Sequence, residues 1–293
     1  MFDSVSPIFW ILLSILFGSS RRLMARALIK NQEDTTALLA LDKFFGVLFL
    51  VSIIFALSSL DASILDFHNV APIGWLSLCA SAILYSAASF IVFRATRTIE
   101  AGERAILNQL TVVIILGLSF SVLGESLTPY LLSGAILIMV GSALCTYRKS
   151  GHRWGVEGVK LIILSCILIA IASMFDKISA NYFSPILLSI PYVLLTAVVA
   201  FLLMRKGSFP RIKKVWRAHE YSIIILSSLS VLSFLFYYMA LKITPLSQIY
   251  PLKASQGILT TIGGIIFLGE DQGIRYKIIG AILAIGGAIL IHS

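Results

Sequence analysis

Continuous apolar segments of about twenty residues recur along this 293-residue chain, the length at which an α-helix crosses the hydrocarbon core of a bilayer. Charged residues make up only 13% of the chain, against about 25% in an average soluble domain. Within a bilayer the backbone polar groups must be satisfied by the protein itself. Membrane β-strands would be segments of about ten residues with alternating polarity. The apolar segments are therefore predicted to be transmembrane helices.

Ten such helices fit the sequence. At about 22 residues each they account for most of the chain, so no soluble domain is expected. The two longest connections are predicted at 148–156 and 205–220. The predicted spans are 5–28, 36–58, 73–95, 101–123, 128–147, 157–179, 184–204, 221–241, 246–268 and 274–292.

The two halves of the chain repeat each other. Residues 134–144 read GAILIMVGSAL and residues 280–290 read GAILAIGGAIL, with six of the eleven positions identical. Shortly before each segment, Leu123-Gly124-Glu125 matches Leu268-Gly269-Glu270 at nearly the same spacing. The matched turns, together with the matched helices, indicate an internal duplication.

The repeat unit contains five helices, so its second copy must enter the membrane from the opposite side. The sequence therefore predicts an all-α integral membrane protein of ten transmembrane helices, arranged as two inverted five-helix repeats. The first repeat is expected at 1–147, a basic connector at 148–156 and the second repeat at 157–293. Many alternating-access carriers have inverted repeats and bind substrate near the membrane midplane, between the halves.

This pattern resembles the drug/metabolite transporter (DMT) superfamily, and within it the EamA-type ten-helix permeases. Their signature consists of an Ala-Leu pair, a polar turn, an apolar helix, a Gly-Glu turn and two glycines seven residues apart. It runs here from Ala95 to Gly141 and again from Ala240 to Gly287. The resemblance covers nearly the whole chain and implies a membrane transporter.

One departure from the resembled family concerns the fourth helix of the first repeat. The proline usual at this place is missing from residues 104–112, whereas the ninth helix contains Pro251. A proline inside a helix removes a hydrogen bond and bends the helix. The two halves are therefore expected to bend differently.

Basic residues lie almost entirely on one side of the predicted membrane. Sixteen lysines and arginines fall at the odd-numbered connections, and only Lys242 falls on the side that includes both termini. Cytoplasmic loops are enriched in Lys and Arg. We expect a multi-pass protein of the plasma or inner membrane with both termini outside the cytoplasm, although relatives are more often described with both inside. The net charge of +9 follows from this topology and does not indicate nucleic acid.

The connection from Lys206 to Tyr221 is strongly basic and contains the aromatic residues Phe209 and Trp216. The favoured interpretation is a cytoplasmic loop whose aromatic side chains lie at the interface. The alternative is a site for anionic lipid head groups, which attract clusters of Lys and Arg near a membrane surface.

Charged residues inside the predicted helices are the candidate substrate-binding residues, because a charge at membrane depth is costly and is usually functional. Arg21 and Arg22 follow residues 18–20, a Gly-Ser-Ser stretch that resembles the central-cavity segment of the family. Asp176 and Lys177 occupy the equivalent place in the sixth helix. Adjacent helical residues do not face each other, so Asp176 is expected to pair with an arginine of the first helix.

The ninth helix offers a second group of candidates. Tyr250, Lys253 and Gln256 lie within two turns of one another, next to a proline that frees a backbone carbonyl. The repeat equivalent of Lys253 is Asn108, which is polar but uncharged. Together they predict a substrate-binding surface, and the alternative is that Lys253 is paired with Asp176 or a carbonyl only for packing.

Other polar residues and glycines are expected to be structural. Asp42 and Lys43 lie near the start of the second helix and are expected at the interface. Glu125 and Glu270 are expected to cap the helices that follow them. Close helix contact is expected at the glycines shared by the repeats, Gly134, Gly141, Gly280 and Gly287.

The candidate charges indicate the class of substrate. Arg21, Arg22, Lys177 and Lys253 stand against Asp176 alone, and this surplus favours an anionic or zwitterionic compound. The leading hypothesis is a secondary-active transporter of a small polar metabolite, such as an amino acid, organic acid or phosphorylated metabolite. No Walker motif is present, so ATP is not expected to drive it.

Two other functions remain as alternatives. A small-multidrug-type exporter of cationic compounds would be expected to have a membrane-embedded glutamate, and only Glu103, beside Arg104, comes near such a place. A flippase for a lipid-linked intermediate is the other alternative. No HExxH or GxSxG motif is present, so no enzymatic activity is expected.

The expected partners follow from these hypotheses. They are a small-molecule substrate and the bilayer, with a coupling proton or counter-substrate left open, in a monomer or weak homodimer. No cofactor, metal ion or nucleic acid is expected.

Overall fold

A computed structural model describes residues 6–30, 35–58, 70–95, 104, 106–146, 156–202, 209–268 and 274–292. Within these ranges all regular secondary structure is helical, which confirms the predicted all-α architecture of ten membrane helices. The ninth predicted span consists of two helices, α9 and α10. The helices are α1 (Pro7–Lys30), α2 (Thr35–Ser58), α3 (Pro72–Ala95), α4 (Leu110–Ser121), α5 (Pro129–Thr146), α6 (Val156–Ala180), α7 (Pro185–Leu202), α8 (Phe209–Ile243), α9 (Leu246–Ala254), α10 (Gln256–Leu268) and α11 (Ile274–His292).

The outer surfaces of these helices are suited to hydrocarbon. Among the described helices, six are long and apolar enough to cross a bilayer, and α4 and α5 are shorter apolar helices. Large apolar side chains such as Phe55, Leu202 and Phe267 are exposed on the outside. An exposed apolar surface of this extent on a soluble protein would cause association. In lipid it costs nothing.

The inverted relation of the repeats is visible where α5 crosses α11. A Cβ placed on Gly134 would lie 2.6 Å from the carbonyl oxygen of Gly287, and Gly141 makes the corresponding close approach to Gly280. The earlier residue of α5 meets the later residue of α11, so the two helices run antiparallel. In the repeat alignment, Gly134 corresponds to Gly280 and Gly141 corresponds to Gly287. The contact of Gly134 with Gly287 is therefore equivalent to the contact of Gly280 with Gly141, as a two-fold relation between the repeats requires. This confirms the inverted repeat.

The two repeats are interleaved. The third helix of each repeat packs against the first helix of the other, α3 on α6 and α8 on α1. At the crossing of α1 with α8, the Ser14 hydroxyl donates to the Ser233 carbonyl and the Ser233 hydroxyl donates to the Ser14 carbonyl, both at 2.8 Å. Each half therefore completes its packing with helices of the other half.

The fourth and ninth spans are both interrupted, at equivalent positions. The Gln109 amide donates to the Ile106 carbonyl at 3.1 Å, and the Ser255 amide donates to the Leu252 carbonyl at 3.0 Å. Gln109 (φ −65, ψ −23) and Ser255 (φ −64, ψ −14) have nearly the same backbone conformation. The expectation that the two halves bend differently was wrong, because hydrogen bonds between residues three apart interrupt both helices, and such an interruption does not require proline.

Helix α8 begins earlier than the sequence predicts. Most of the expected connection at 205–220 is helical from Phe209, and the chain bends at His219 (φ −144, ψ 29) before it continues as a transmembrane helix. The apolar side of this first segment packs on α1 and α2, where the Trp216 ring stacks on Phe45 at 4.5 Å. The many basic residues concealed a helical apolar spacing, which is why the sequence predicted a loop.

Candidate functional site

The first of two charged centres joins α1 to α2. The Arg21 guanidinium lies 3.0 Å from the Asp42 carboxylate, and the Lys43 ammonium lies 3.4 Å from the same oxygen. The expected interfacial position of Asp42 was wrong, since this residue is only 3% exposed. Asp42 lies two turns into α2, about 10 Å from its start, which brings it to the depth of Arg21.

The Arg21–Asp42 ion pair also corrects the expectation that Asp176 would pair with an arginine of α1. Asp42 occupies one side of the Arg21 guanidinium. The Arg21 Nε and the Asp42 Oδ1 are buried and have no hydrogen-bond partner among the described residues. Buried polar atoms of this kind call for a partner such as a substrate or an ordered water. The centre therefore has capacity for one more polar group.

The second centre surrounds Asp176 on α6. Its side chain is 1% exposed, and the hydroxyls of Ser81, Tyr85 and Tyr238 face its carboxylate. The Asp176 Oδ2 atom is buried without a hydrogen-bond partner. The hydroxyls come from α3 and α8, so one acidic group of α6 is enclosed by helices of both repeats.

Lys253 lies beside Asp176 in a cage of aromatic rings. Its ammonium nitrogen is 3.6 Å from the centre of the Tyr237 ring, 5.6 Å from Phe234 and 5.7 Å from Tyr250. A cation over an aromatic face is stabilised by the ring quadrupole, by about 2 kcal/mol or more when it is desolvated. The structure thus brings together Asp176, Tyr250 and Lys253 from the predicted candidates.

A network of hydroxyl groups ties this second centre across three helices. The Tyr85 hydroxyl of α3 lies 2.8 Å from the Ser173 hydroxyl of α6 and 3.4 Å from the Tyr250 hydroxyl of α9. The Ser173 and Tyr250 hydroxyls also hydrogen-bond to each other. Movement of α9 against α3 or α6 would have to break these bonds.

Tyr192 of α7 connects the two centres. It is close enough to Arg21, Asp42 and Asp176 to interact electrostatically with all three. Its ring also lies 4.4 Å from Phe234 and 5.5 Å from Tyr85. Arg21 is about 21 Å along α1 from Pro7 and about 14 Å from its end. The two centres therefore form one polar region deep within the transmembrane bundle.

Three further predicted residues lie around this region. Arg22 is exposed, yet near enough to Lys253 for the two like charges to interact. Gln256 is buried against Gly18, where α10 meets α1. Asn108 lies where α4 meets α6, with its amide oxygen 3.9 Å from the Cys166 sulfur. Gln256 and Asn108 thus each lie where a helix of one repeat packs on a helix of the other.

Lys177 lies away from the other candidates, at the end of α6. Its ammonium donates to the carbonyl oxygens of Leu241 and Thr244, each at 2.7 Å. These carbonyls belong to the end of α8 and the turn that follows it. Lys177 therefore holds the connection between α8 and α9, where the sequence predicted contact with substrate.

Glu125 holds the same connection from the first repeat. Its two carboxylate oxygens accept hydrogen bonds from the Leu246 and Ser247 amides at 2.7 and 2.8 Å, at the start of α9. We call Glu125 and Lys177, with the α8–α9 connection between them, the latch. A cavity of about 350 Å³ lies beside it.

The expectation that Glu125 caps the helix after it was wrong. Gly124 has a positive φ of 67, and the cap of α5 is supplied by Thr128, whose hydroxyl accepts from the Leu131 amide at 3.2 Å. A carboxylate is stabilised at any helix N-terminus, whichever repeat the helix belongs to. Glu103, Glu270 and residues 148–155 lie outside the described residues.

Neither the aromatic cage nor the Arg21–Asp42 pair was predicted from the sequence. Tyr85, Tyr192 and Tyr237 lie in apolar helices, where aromatic residues usually pack in the core. A usable signal was the position of Asp42, an acidic residue two turns inside a predicted span. In the described part of the chain, no group of three His, Cys, Asp or Glu is arranged to hold a metal ion.

An interleaved inverted repeat that encloses charged residues at membrane depth is typical of multi-pass membrane transporters. The comparisons agree, because the EamA-like transporter family matches residues 5–147 and 156–293. The chain therefore belongs to the EamA-like transporter family, within the drug/metabolite transporter superfamily. Members of this family are transporters and not enzymes.

A solved structure shares the fold. One crystal structure of a protein is similar over 97% of this chain and 96% of its own, at 17% sequence identity and a TM-score of 0.78. At this identity the likeness concerns the fold alone. A search of curated proteins finds no match.

Proposed function

We propose that this protein is a secondary-active transporter of a small anionic or zwitterionic metabolite and works by alternating access. The observation that carries the proposal is the charge of the two buried centres. The two centres contain three basic residues, Arg21, Lys43 and Lys253, against two acidic residues, Asp42 and Asp176. A surplus cation at membrane depth costs at least about 2.5 kcal/mol. A carboxylate or phosphate on the substrate would offset that cost.

Lys253 is the residue best placed to meet such a group. The rings of Tyr237, Phe234 and Tyr250 stabilise its ammonium from one side. The ammonium group has three N–H donors, and those that point away from the rings can donate to a carboxylate or phosphate oxygen. Asp176 nearby would serve as a counter-charge, or would receive the ammonium group of a zwitterion. Amino acids, organic acids and phosphorylated metabolites all meet this description.

A second candidate function is export of a cationic compound. The aromatic cage next to a buried carboxylate is the specific observation that favours it, since such cages bind quaternary ammonium ions. This function requires Lys253 to leave the cage when the compound binds. The two functions therefore differ in the sign of the ligand charge that the site accepts.

Ligand-induced thermal stabilisation separates these functions. The purified protein would be heated with matched sets of anionic, zwitterionic and cationic metabolites. A ligand that binds only the folded protein stabilises it by about 2.7 kcal/mol at a hundred times its Kd. We expect stabilisation by anions or zwitterions, followed by their transport in proteoliposomes. Stabilisation by cations alone would replace the proposal with cation export.

The membrane orientation is part of the proposal and has its own test. Cysteines introduced at Ser150 and Ser208 in a cysteine-free background should resist an impermeant maleimide added to intact cells. The reason is the sixteen-to-one distribution of basic residues, which favours those connections in the cytoplasm. A cysteine at Ser126, exposed in the turn between α4 and α5 on the other side, should react. The reverse pattern would place both termini in the cytoplasm.

The latch provides a further prediction. We expect Glu125→Gln to make the α8–α9 connection open more often, because the charge is lost and one of the two accepting oxygens is replaced by an NH2 group, which donates. Hydrogen bonds to a charged group contribute about 1.5–3 kcal/mol. A cysteine at Ser247, which is buried beneath the latch, should then react with a maleimide about tenfold faster or more.

The control for this prediction is Glu157→Gln. Glu157 forms only an exposed ion pair with Arg94 at 3.4 Å, and such surface pairs contribute little. The control should leave the reaction of the cysteine at Ser247 unchanged. Equal rates in the Glu125→Gln and parent proteins would show that Glu125 is a local cap and that the latch does not restrict access.

A further inference from the structure

The first segment of α8, Phe209–Ala218, presents a rigid positively charged surface. Lys213, Lys214 and Arg217 are all exposed on one side of it. On the opposite side Val215 is buried, and Trp216 is stacked on Phe45 of α2. The cations are therefore fixed on a packed helix, where a loop would have let them move independently. We call Lys213, Lys214 and Arg217 the basic face.

The length of α8 places the basic face at the membrane surface. The apolar part of this helix extends over Pro210–Ile243, which is 34 residues or about 51 Å at 1.5 Å per residue. The hydrocarbon core is about 30 Å thick. The excess lies at the N-terminal end, where the charges are and where His219 bends the helix. This length indicates that the cations lie beyond the hydrocarbon core, where the phosphate groups of lipids are expected.

The basic face also borders a shallow, open pocket. Its volume is about 500 Å³, and it is bordered by Pro210, Lys213, Lys214, Arg217 and Ala218. Among the described residues, this lining contributes three positive charges and no negative one. Pro210 and Ala218 add apolar surface at its two ends. A cavity with this lining suits an anionic group attached to an apolar body.

We propose that the basic face binds the phosphate head group of an anionic phospholipid from the leaflet that it contacts. The charges are complementary, and the cations stand at the depth at which that phosphate lies. Attraction between basic residues and anionic lipid amounts to about a fivefold factor in affinity for each cation. This site is separate from the buried centres, so it does not depend on the nature of the transported substrate.

Quenching of Trp216 fluorescence tests the proposal directly. The other tryptophans, Trp10, Trp75 and Trp154, would be replaced by phenylalanine in the full-length protein. Trp216 is next to Arg217 in the chain and lies across a helix only about 10 Å wide from the basic face, so its fluorescence reports on lipid bound there. Phosphatidylglycerol or phosphatidylcholine, brominated near the head-group end of its chains, would be titrated into phosphatidylcholine vesicles that contain the protein. We expect phosphatidylglycerol to quench at a much lower mole fraction than phosphatidylcholine. Equal quenching by the two lipids would overturn the proposal.

Two matched triple variants test whether the preference for phosphatidylglycerol depends on the basic face. Lys213→Gln, Lys214→Gln and Arg217→Gln together should weaken the phosphatidylglycerol preference by roughly a hundredfold. Removing three other exposed cations, with Arg94→Gln, Lys160→Gln and Arg275→Gln, should preserve it. Loss of the preference in both triple variants would mean a non-specific effect of net charge and would contradict the site.

Two further experiments test whether the preference depends on charge and whether the ligand is a lipid. A Lys213→Arg, Lys214→Arg variant retains the charge and should retain the preference, so its failure to do so would overturn a charge-based site. Inorganic phosphate, compared with chloride at equal ionic strength, should not displace the lipid. If phosphate abolished the preference, the site would bind a soluble anion, and the lipid assignment would be wrong.

Discussion

Lys253→Met is expected to lower the transport rate at least about tenfold while leaving the protein folded and inserted. Methionine keeps the apolar stem of the side chain, whereas the contacts of the ammonium nitrogen with the Tyr237 and Phe234 rings are lost. The charge is lost, and with it a charge-assisted contact to the substrate of about 1.5–3 kcal/mol. This corresponds to a decrease in transport rate of roughly tenfold to a hundredfold in proteoliposomes. Removal of a buried cation should also leave thermal stability unchanged or raised.

Lys160→Met is the matched control, because Lys160 lies on the exposed side of α6. It should transport at the rate of the parent protein. Arg22→Met is expected to behave like Lys253→Met, since Arg22 lies near Lys253 and the same substrate group would meet both. Normal transport by Lys253→Met would make this lysine a structural residue. A gain in binding of cations would favour export of cationic compounds.

Gly287→Ala is expected to destabilise the protein, whereas Gly286→Ala is expected to be neutral or stabilising. A Cβ on Gly287 would lie 2.5 Å from the carbonyl oxygen of Gly134, so the backbones of α5 and α11 would have to separate. Overpacking of this kind costs about 1–3 kcal/mol. A Cβ on Gly286 would meet nothing within 4 Å. There, replacing glycine within a helix contributes up to about 1 kcal/mol.

Thermal unfolding of the two variants in the same detergent measures this difference. Adjacent positions share helix, depth and solvent, so only the contact with α5 separates them. A lower midpoint for Gly287→Ala, together with an unchanged or higher midpoint for Gly286→Ala, is the expected result. If both variants unfold at the parent temperature, the close crossing of α5 and α11 does not limit stability.

The sequence was sufficient for the architecture because membrane helices are specified locally. Apolar length alone predicted the spans, and the Gly134–Leu144 and Gly280–Leu290 match predicted their inverted relation. Two local features did not follow from these rules. The basic residues after Phe209 hid an amphipathic helix, and the break at Gln109 occurs without proline.

The site was less accessible to prediction because its contacts join distant parts of the chain. Asp176, Tyr250 and Lys253 were predicted from charge and spacing, and they do meet. The partner of Arg21 depended on the depth of α2, and the partners of Glu125 depended on where the second repeat docks. Neither set of partners can be predicted from the sequence around Arg21 or Glu125.

The crossing of α5 with α11 has a consequence for the origin of the chain. Gly134 meets Gly287 and Gly141 meets Gly280, which is one contact made twice with the roles of the halves exchanged. A five-helix protein carrying the same two glycines would therefore already possess a surface that fits a copy of itself inserted upside down. Such a dual-topology dimer needs no separate partner. If the two copies were fused into one chain, each half would have a single orientation in the membrane. The distribution of lysine and arginine on one side of the membrane would then maintain that orientation.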